Sequence, residues 1–347
     1  MYSAPSDPLP QQKCSAGRLD YDECTQIAKK LTSIWLRVLA RPSIRMDEDF
    51  FETGGDPNSA IRIFDEIRVE FGRSIPPLAI YSFRTISSLA DLLSHKVPAR
   101  FSNLLLLRNG AKLPGTFLFP GLGGNVMEFF ALSECIGSTY PVYGLQPSGS
   151  DGLEEPLDRI EEMAAYHLDA IRGLQAGGPY LLCGYSLGGL VALEVARQIR
   201  ESGERVGLCM IDSYPHESAL AARQRFRSYF DRINHRAACA LDRSKRSIDG
   251  GREGKALNEK IGGPTIRKVR EKAYRALVTY RPRPYHGKVL FLRAAIPSGF
   301  PDVAAWKNLI GEIEVVTVPG DHHSMLRIGA PHLSAAISSS LCKAVRY

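Results

Sequence analysis

The sequence predicts an α/β protein in two parts: a small all-helical bundle, then a larger domain whose mainly parallel sheet is covered by helices on both faces. Three observations predict it. The chain has 347 residues, enough for two domains that each bury a core. Apolar residues recur at helical spacing from Tyr21 to about Val97. After Pro98 the period changes, and short apolar runs of strand length alternate with amphipathic segments of helix length.

Residues 1–20 hold Pro, Ser and Gln but few apolar groups, and read as a disordered, solvated tail. In the bundle, residues 21–97, one face carries Ile27, Leu31, Ile34, Trp35 and Val38, and a second carries Ala60, Ile61, Phe64, Ile67 and Phe71. Leu89, Leu92 and Leu93 mark a last short helix. Gly54, Gly55 and Pro57 break the chain before the second helix, and Gly72, Pro76 and Pro77 break it afterwards, so three or four helices are expected. The larger domain, residues 98–347, opens with the apolar run 104–107, a hairpin signal at Asn109-Gly110 and a return strand at 116–119. Further strands are expected at 142–145, 180–183, 206–211, 288–292 and 313–318, with helices such as 160–174 and 190–201 between them. Between Asp212 and Lys288 the alternation stops. That basic stretch, with Arg223, Arg225 and Arg227 among its cations, is expected to be a helical lid insertion at about 216–285.

Composition narrows the function. With 44% hydrophobic and 23% charged residues, a chain disordered throughout, a collagen-like rod and a coiled coil are excluded. A formal charge of +7 is too small to predict a nucleic-acid partner. Seven scattered cysteines, with no close pair at metal-ligand spacing, predict no metal and a reduced, cytoplasmic compartment. No apolar run reaches the length of a signal peptide or of a membrane span of about 18 residues, so no membrane association is expected.

The chemistry centres on Gly184-Tyr185-Ser186-Leu187-Gly188, set between an apolar strand and a helical run. A glycine on each side of the serine permits a tight strand-to-helix turn, which lifts Ser186 above the carboxyl edge of the sheet. A serine that only capped a helix would not need that context. Serine becomes a nucleophile when a base takes its proton and an acid orients the base. Asp212 follows the run 206–211 directly, where an orienting carboxylate belongs, although alone it would read as a turn or cap residue. Gly320-Asp321-His322-His323 follows the strand at 313–318, and spacing does not separate the two histidines. The resulting order Ser, Asp, His is the one α/β-hydrolases require. His95, His167, His216, His235, His286 and His332 are expected at surface or packing positions. Leu187, the residue after the nucleophile, offers one oxyanion-hole amide, and the loop 119–124 with Gly121, Gly123 and Gly124 is expected to offer the other. That loop lacks the Lys and Ser/Thr of a P-loop and the spacing of a dinucleotide fingerprint.

Through LFPGLGG, PVYGLQP, GPYLLCGYSLGG, MIDSYP and PGDHHSML, residues from about 104 to 342 resemble the thioesterase domain that ends nonribosomal peptide synthetases, in the α/β-hydrolase family. The resemblance implies Ser186 as nucleophile, Asp212 as acid, His322 as base, the Leu122 amide as second oxyanion donor, and a lid where the basic insertion falls. Residues from about 21 to 97 resemble a peptidyl or acyl carrier domain, through Asp49-Phe50-Phe51-Glu52-Thr53-Gly54-Gly55-Asp56 and the apolar helix that follows. Such domains bear phosphopantetheine on the serine immediately after Gly-Gly-Asp. Here that position is Pro57. Asp56 as N-cap and Pro57 as first helical residue keep a sound helix start. Ser59 comes two residues later, about 200° further around the helix. No phosphopantetheine is therefore expected on this chain, and the arm of a partner carrier is expected as its substrate.

The expected activity is that of a thioesterase releasing an acyl or peptidyl chain from a carrier-bound thioester, in nonribosomal peptide or polyketide biosynthesis. An acyl or peptidyl carrier protein or synthetase module is the expected partner. An acyltransferase or editing thioesterase acting in trans would use the same triad and differ only in its acceptor. A non-catalytic docking module is the remaining alternative, and an intact Ser, Asp and His at matched strand ends argues against it.

Overall fold

The structure, a computed structural model, describes residues 18–95, 101–111, 113–137, 139–216, 264–297 and 303–346. In the sheet domain the strands are β1 (Leu104–Arg108), β2 (Thr116–Phe119), β3 (Val142–Leu145), β4 (Tyr180–Tyr185), β5 (Val206–Ile211), β6 (Tyr285–Ala294) and β7 (Ile310–Val318). They form one sheet in the order β1-β3-β2-β4-β5-β6-β7, parallel throughout except where β1 runs antiparallel to β3. Every residue of β2 and β4 is buried, as strands covered on both faces must be.

The expected hairpin between β1 and β2 does not form, because β3 lies between them. Burial explains the difference. β1 alternates half-buried and buried residues as an edge strand does, whereas the wholly buried β2 needs a neighbour on each side. β6 and β7 also begin earlier than the expected 288 and 313.

Alternation along the strands divides the core. Phe117, Phe119 and Leu182 pack under α5 (Ile160–Leu174), α6 (Leu187–Glu201) and α7 (Pro264–Thr279). Leu118, Cys183 and Ile211 face the other way, towards α4 (Phe130–Cys135), the short α8 (Met325–Ile328) and α9 (Ala330–Arg346). All strands from β2 onward point their carboxyl ends to one edge, so the loops that follow β2, β4, β5 and β7 meet there. Of the expected lid at 216–285, residues 217–263 lie outside the described residues, while α7 and the start of β6 occupy its final part.

The helical part holds α1 (Arg18–Val38), α2 (Pro57–Phe71) and α3 (Ile86–Ser94), and its fourth element is a 3-10 turn at Pro77–Tyr81 rather than an α-helix. α1 covers Arg18–Val38, so its first residues fall inside the expected tail, and residues 1–17 of that tail lie outside the described residues. Trp35 and Phe50 meet edge to face at 5.3 Å in its core. The two parts touch where the Phe51 ring lies 6.0 Å from that of Phe130, and where Arg84, paired with Asp49 at 2.6 Å, donates to the Leu106 carbonyl at 3.0 Å. Among the described residues, no helix is long and apolar enough to cross a membrane.

Candidate active site

β4 ends at Tyr185 and α6 begins at Leu187, which leaves Ser186 to make the turn alone, at φ 53° and ψ −120°. A non-glycine residue in that region carries strain of order 1–3 kcal/mol and persists only where its surroundings fix it. They do so by backbone contact. A Cβ on Gly184 would stand 2.3 Å from the Gly188 carbonyl oxygen, and one on Gly188 would stand 2.1 Å from that of Phe119. The glycines thus let strand, helix and neighbouring loop close together, with Ser186 at the tip.

Asp212 is the first residue after β5 and also has a left-handed backbone, at φ 44°. Its Oδ1 accepts the Ala294 N–H at 3.1 Å and the Tyr214 hydroxyl at 3.2 Å. Its Oδ2 lies 2.7 Å from His322 Nδ1, and His322 Nε2 lies 3.1 Å from Ser186 Oγ. Asp212 and His322 are 3% and 5% exposed, so the pair is shielded from competing water. A carboxylate at Nδ1 fixes the proton there and leaves the Nε2 lone pair facing the serine hydroxyl.

The loop geometry separates the two histidines that spacing could not. Asp321 Oδ1 accepts the backbone N–H groups of His323 and Ser324, at 3.1 and 2.7 Å, and this Asx turn points His322 inward. The His323 ring sits 5.2 Å from the His322 ring, and burial pushes its pKa below the ordinary value.

In the loop after β2, the Gly121 N–H donates to Glu128 Oε1 at 2.7 Å, and the Gly124 N–H donates to the Gly121 carbonyl at 2.9 Å. The amides of Gly121 and Gly124 are thus engaged within the loop, which leaves those of Leu122 and Gly123 as its candidate oxyanion donors. Leu187 opens α6, so its N–H belongs to the first turn, which has no acceptor within the helix. Glu128 keeps part of its surface at solvent, yet burial of its carboxyl pushes the pKa up to about 8 against the pull of the Gly121 N–H. Sequence reasoning missed Glu128 and Tyr185. Nothing in the local pattern marks Glu128, while Tyr185 stood inside the pentapeptide with no signal beyond adjacency.

The start of α2 differs from a loaded carrier site. Asp56 is the N-cap and Pro57 the first helical residue. Ser59 is buried at the third position, where its Oγ accepts the Asp56 N–H at 2.7 Å and lies 2.6 Å from Asp56 Oδ1 as its donor. Its hydroxyl is consumed by a capping box, and Pro57 has no hydroxyl to offer. The residues present do not fit an attached phosphopantetheine.

Strand order, two helix layers and a serine at the strand-to-helix turn define an α/β-hydrolase. The family described as thioesterase domain matches residues 116–341, and the one described as phosphopantetheine attachment site matches residues 29–93. The chain belongs to the thioesterase domain family, a family of hydrolases, and carries the helical carrier domain of nonribosomal peptide synthetases ahead of it. A dimodular nonribosomal peptide synthase of Bacillus subtilis (strain 168) is 30% identical over 315 residues, which are 85% of this chain and 13% of that protein. Indigoidine synthase of Streptomyces lavendulae is 34% identical over 183 residues, 52% of this chain and 14% of that protein. The chain thus spans about a seventh or less of these relatives' lengths. Among solved structures, holo-AB3403, a four-domain nonribosomal peptide synthetase bound to AMP and glycine, covers 97% of this chain and 27% of its own at TM-score 0.57 and 21% identity. The type II thioesterase BorB from the borrelidin biosynthetic cluster covers 69% of this chain and 97% of its own at TM-score 0.51 and 20% identity. At those identities the likeness is one of fold.

Proposed function

We propose that this chain releases an acyl or peptidyl group from the thioester of a partner carrier protein or synthetase module, in nonribosomal peptide or polyketide biosynthesis. The observation that carries this reading is the unbroken line from Ser186 Oγ through the His322 ring to Asp212 Oδ2, with links of 3.1 and 2.7 Å. Ser186 Oγ attacks the thioester carbonyl as its proton passes to His322 Nε2. The amides of Leu122 and Leu187 hold the resulting oxyanion. Collapse breaks the C–S bond, and the departing thiolate takes the proton from His322. Water or a nucleophile within the acyl chain then gives its proton to His322 as it attacks the ester, and collapse breaks the C–Oγ bond while His322 returns that proton to Ser186 Oγ. Asp212, at Nδ1, steadies the imidazolium.

Residues 21–97 serve in this reading as a carrier-like domain without its arm, and residues 98–347 as the catalytic domain, with the lid at about 216–285. A cytoplasmic setting belongs to the same reading: Cys183 and Cys209 are register partners across β4 and β5 and are free thiols, as suits a reducing compartment. The test is hydrolysis of a thioester loaded on a separate carrier protein, compared with the matched oxygen ester. Release from the carrier supports the reading. Turnover of the oxygen ester alone would overturn it.

A further inference from the structure

The chemistry above leaves one buried titratable group unused. His167, on α5, lines a narrow cleft that starts at the oxyanion loop, with Gly121 and Gly124 on one side, Leu187 and Val191 of α6 on another, and Ala273 of α7 across from them. Its ring meets that of Phe119 edge-on at 5.6 Å, and the residue is 5% exposed. Its Nδ1 is fully buried and has no hydrogen-bond partner among the described residues. Packing alone does not explain an imidazole here, because a phenylalanine would fill the space without stranding a polar atom, and buried polar atoms are normally paired. Burial pushes the His167 pKa down to about 3, so the ring stays uncharged and keeps one N–H donor and one lone pair. A neighbouring cavity of about 270 Å³ shares Pro147 and Tyr166 with the cleft, and it is lined by Gln146, whose two amide atoms are also buried and unpartnered. The wall of the cleft itself is apolar in bulk and its polar groups, His167, Tyr166 and Ser148, are uncharged, whereas the neighbouring cavity also carries Asp151 and Glu154.

We propose that this cleft takes the part of the acyl group next to the thioester carbonyl, and that His167 selects for an uncharged hydrogen-bonding substituent on it, a hydroxyl or an amide. The inference rests on the thioesterase reading and adds the substrate class. A charged substituent held within the cleft is disfavoured, since its apolar wall and neutral imidazole offer no counter-charge there. The free space in the cleft is about 30 Å³ against about 270 Å³ in the neighbouring cavity, so the substituent the cleft admits is small. His167 acts on specificity and takes no proton from Ser186, which already has His322.

The experiment measures kcat/KM of the full chain on three N-acetylcysteamine thioesters of matched length: a plain acyl, a 3-hydroxyacyl and an N-acetylaminoacyl. The expected result is a preference of about tenfold for at least one polar substrate over the plain one. His167→Phe should bring that ratio towards one through KM, and His167→Asn should restore part of it. An unchanged ratio in His167→Phe, or no preference in the natural chain, would overturn the proposal. Hydrolysis of none of the three would overturn the thioesterase reading itself. A second measurement covers a His167→Phe chain that fails to fold. In Ser186→Ala, the imidazole nitrogen resonances of His167 should move on adding the preferred polar thioester and not on adding the plain acyl; equal response to both would count against the proposal.

Discussion

The hydroxyl of Tyr185 donates to the backbone carbonyl of His322 at 2.6 Å, and its ring lies 4.9 Å from the imidazole at an interplanar angle of 27°. Tyr185, next to Ser186 in the chain, thus holds His322, the base of the proposed mechanism. Asp212 fixes one edge of the imidazole, and Tyr185 fixes its face and its backbone. Burial raises the phenol pKa well above the ordinary value, with Glu128 and Asp212 adding to it, so Tyr185 remains a donor.

Tyr185→Phe should therefore keep the stack and lose the tether. We expect kcat to fall about three- to tenfold with KM little changed, as for one hydrogen bond removed. Tyr185→Ala should lose more of kcat, because the face contact goes too. Equal effects of both variants on KM alone would show that Tyr185 binds substrate and does not position His322.

Glu128 predicts a pH effect on stability. A carboxyl whose folded pKa lies above its unfolded value holds its proton more tightly when folded, so its stabilisation is complete below the ordinary 4.5 and is lost as pH rises through about 8. Glu128→Gln keeps an acceptor for the Gly121 N–H and removes the titration. Thermal midpoints measured from pH 5 to 9 should fall more steeply for the natural chain than for the variant. Parallel curves would contradict the assignment.

Ser59 is expected to matter for folding and not for modification. Ser59→Ala should cost about 1 kcal/mol in stability, as for one hydrogen bond of the capping box removed, measured by denaturant unfolding. Incubated with a phosphopantetheinyl transferase and coenzyme A, the natural chain should gain no pantetheine mass. A gain that disappears in Ser59→Ala would restore this domain as a working carrier.

Much of the site was legible because short-range chemistry fixes it. The glycines around Ser186 are required by contacts below 2.5 Å, and Asp56-Pro57 starts α2 as its residue types demand. The exposed and buried edges of the sheet were not legible from a two-residue turn signal, since the pairing of β1 depends on β3, more than thirty residues away in the chain. His322 and His323 carry the same side chain, and only the Asx turn at Asp321 sets which one points inward. Glu128 and Tyr185 act through tertiary contacts that no local pattern encodes.

If Ser186 carries the acyl group between two steps, intact-protein mass spectrometry after a brief incubation with a slowly released acyl thioester will detect the acyl-enzyme. One added acyl mass is expected on the natural chain, located at Ser186, and none on Ser186→Ala. The same adduct on Ser186→Ala, or turnover that survives that substitution, would contradict it.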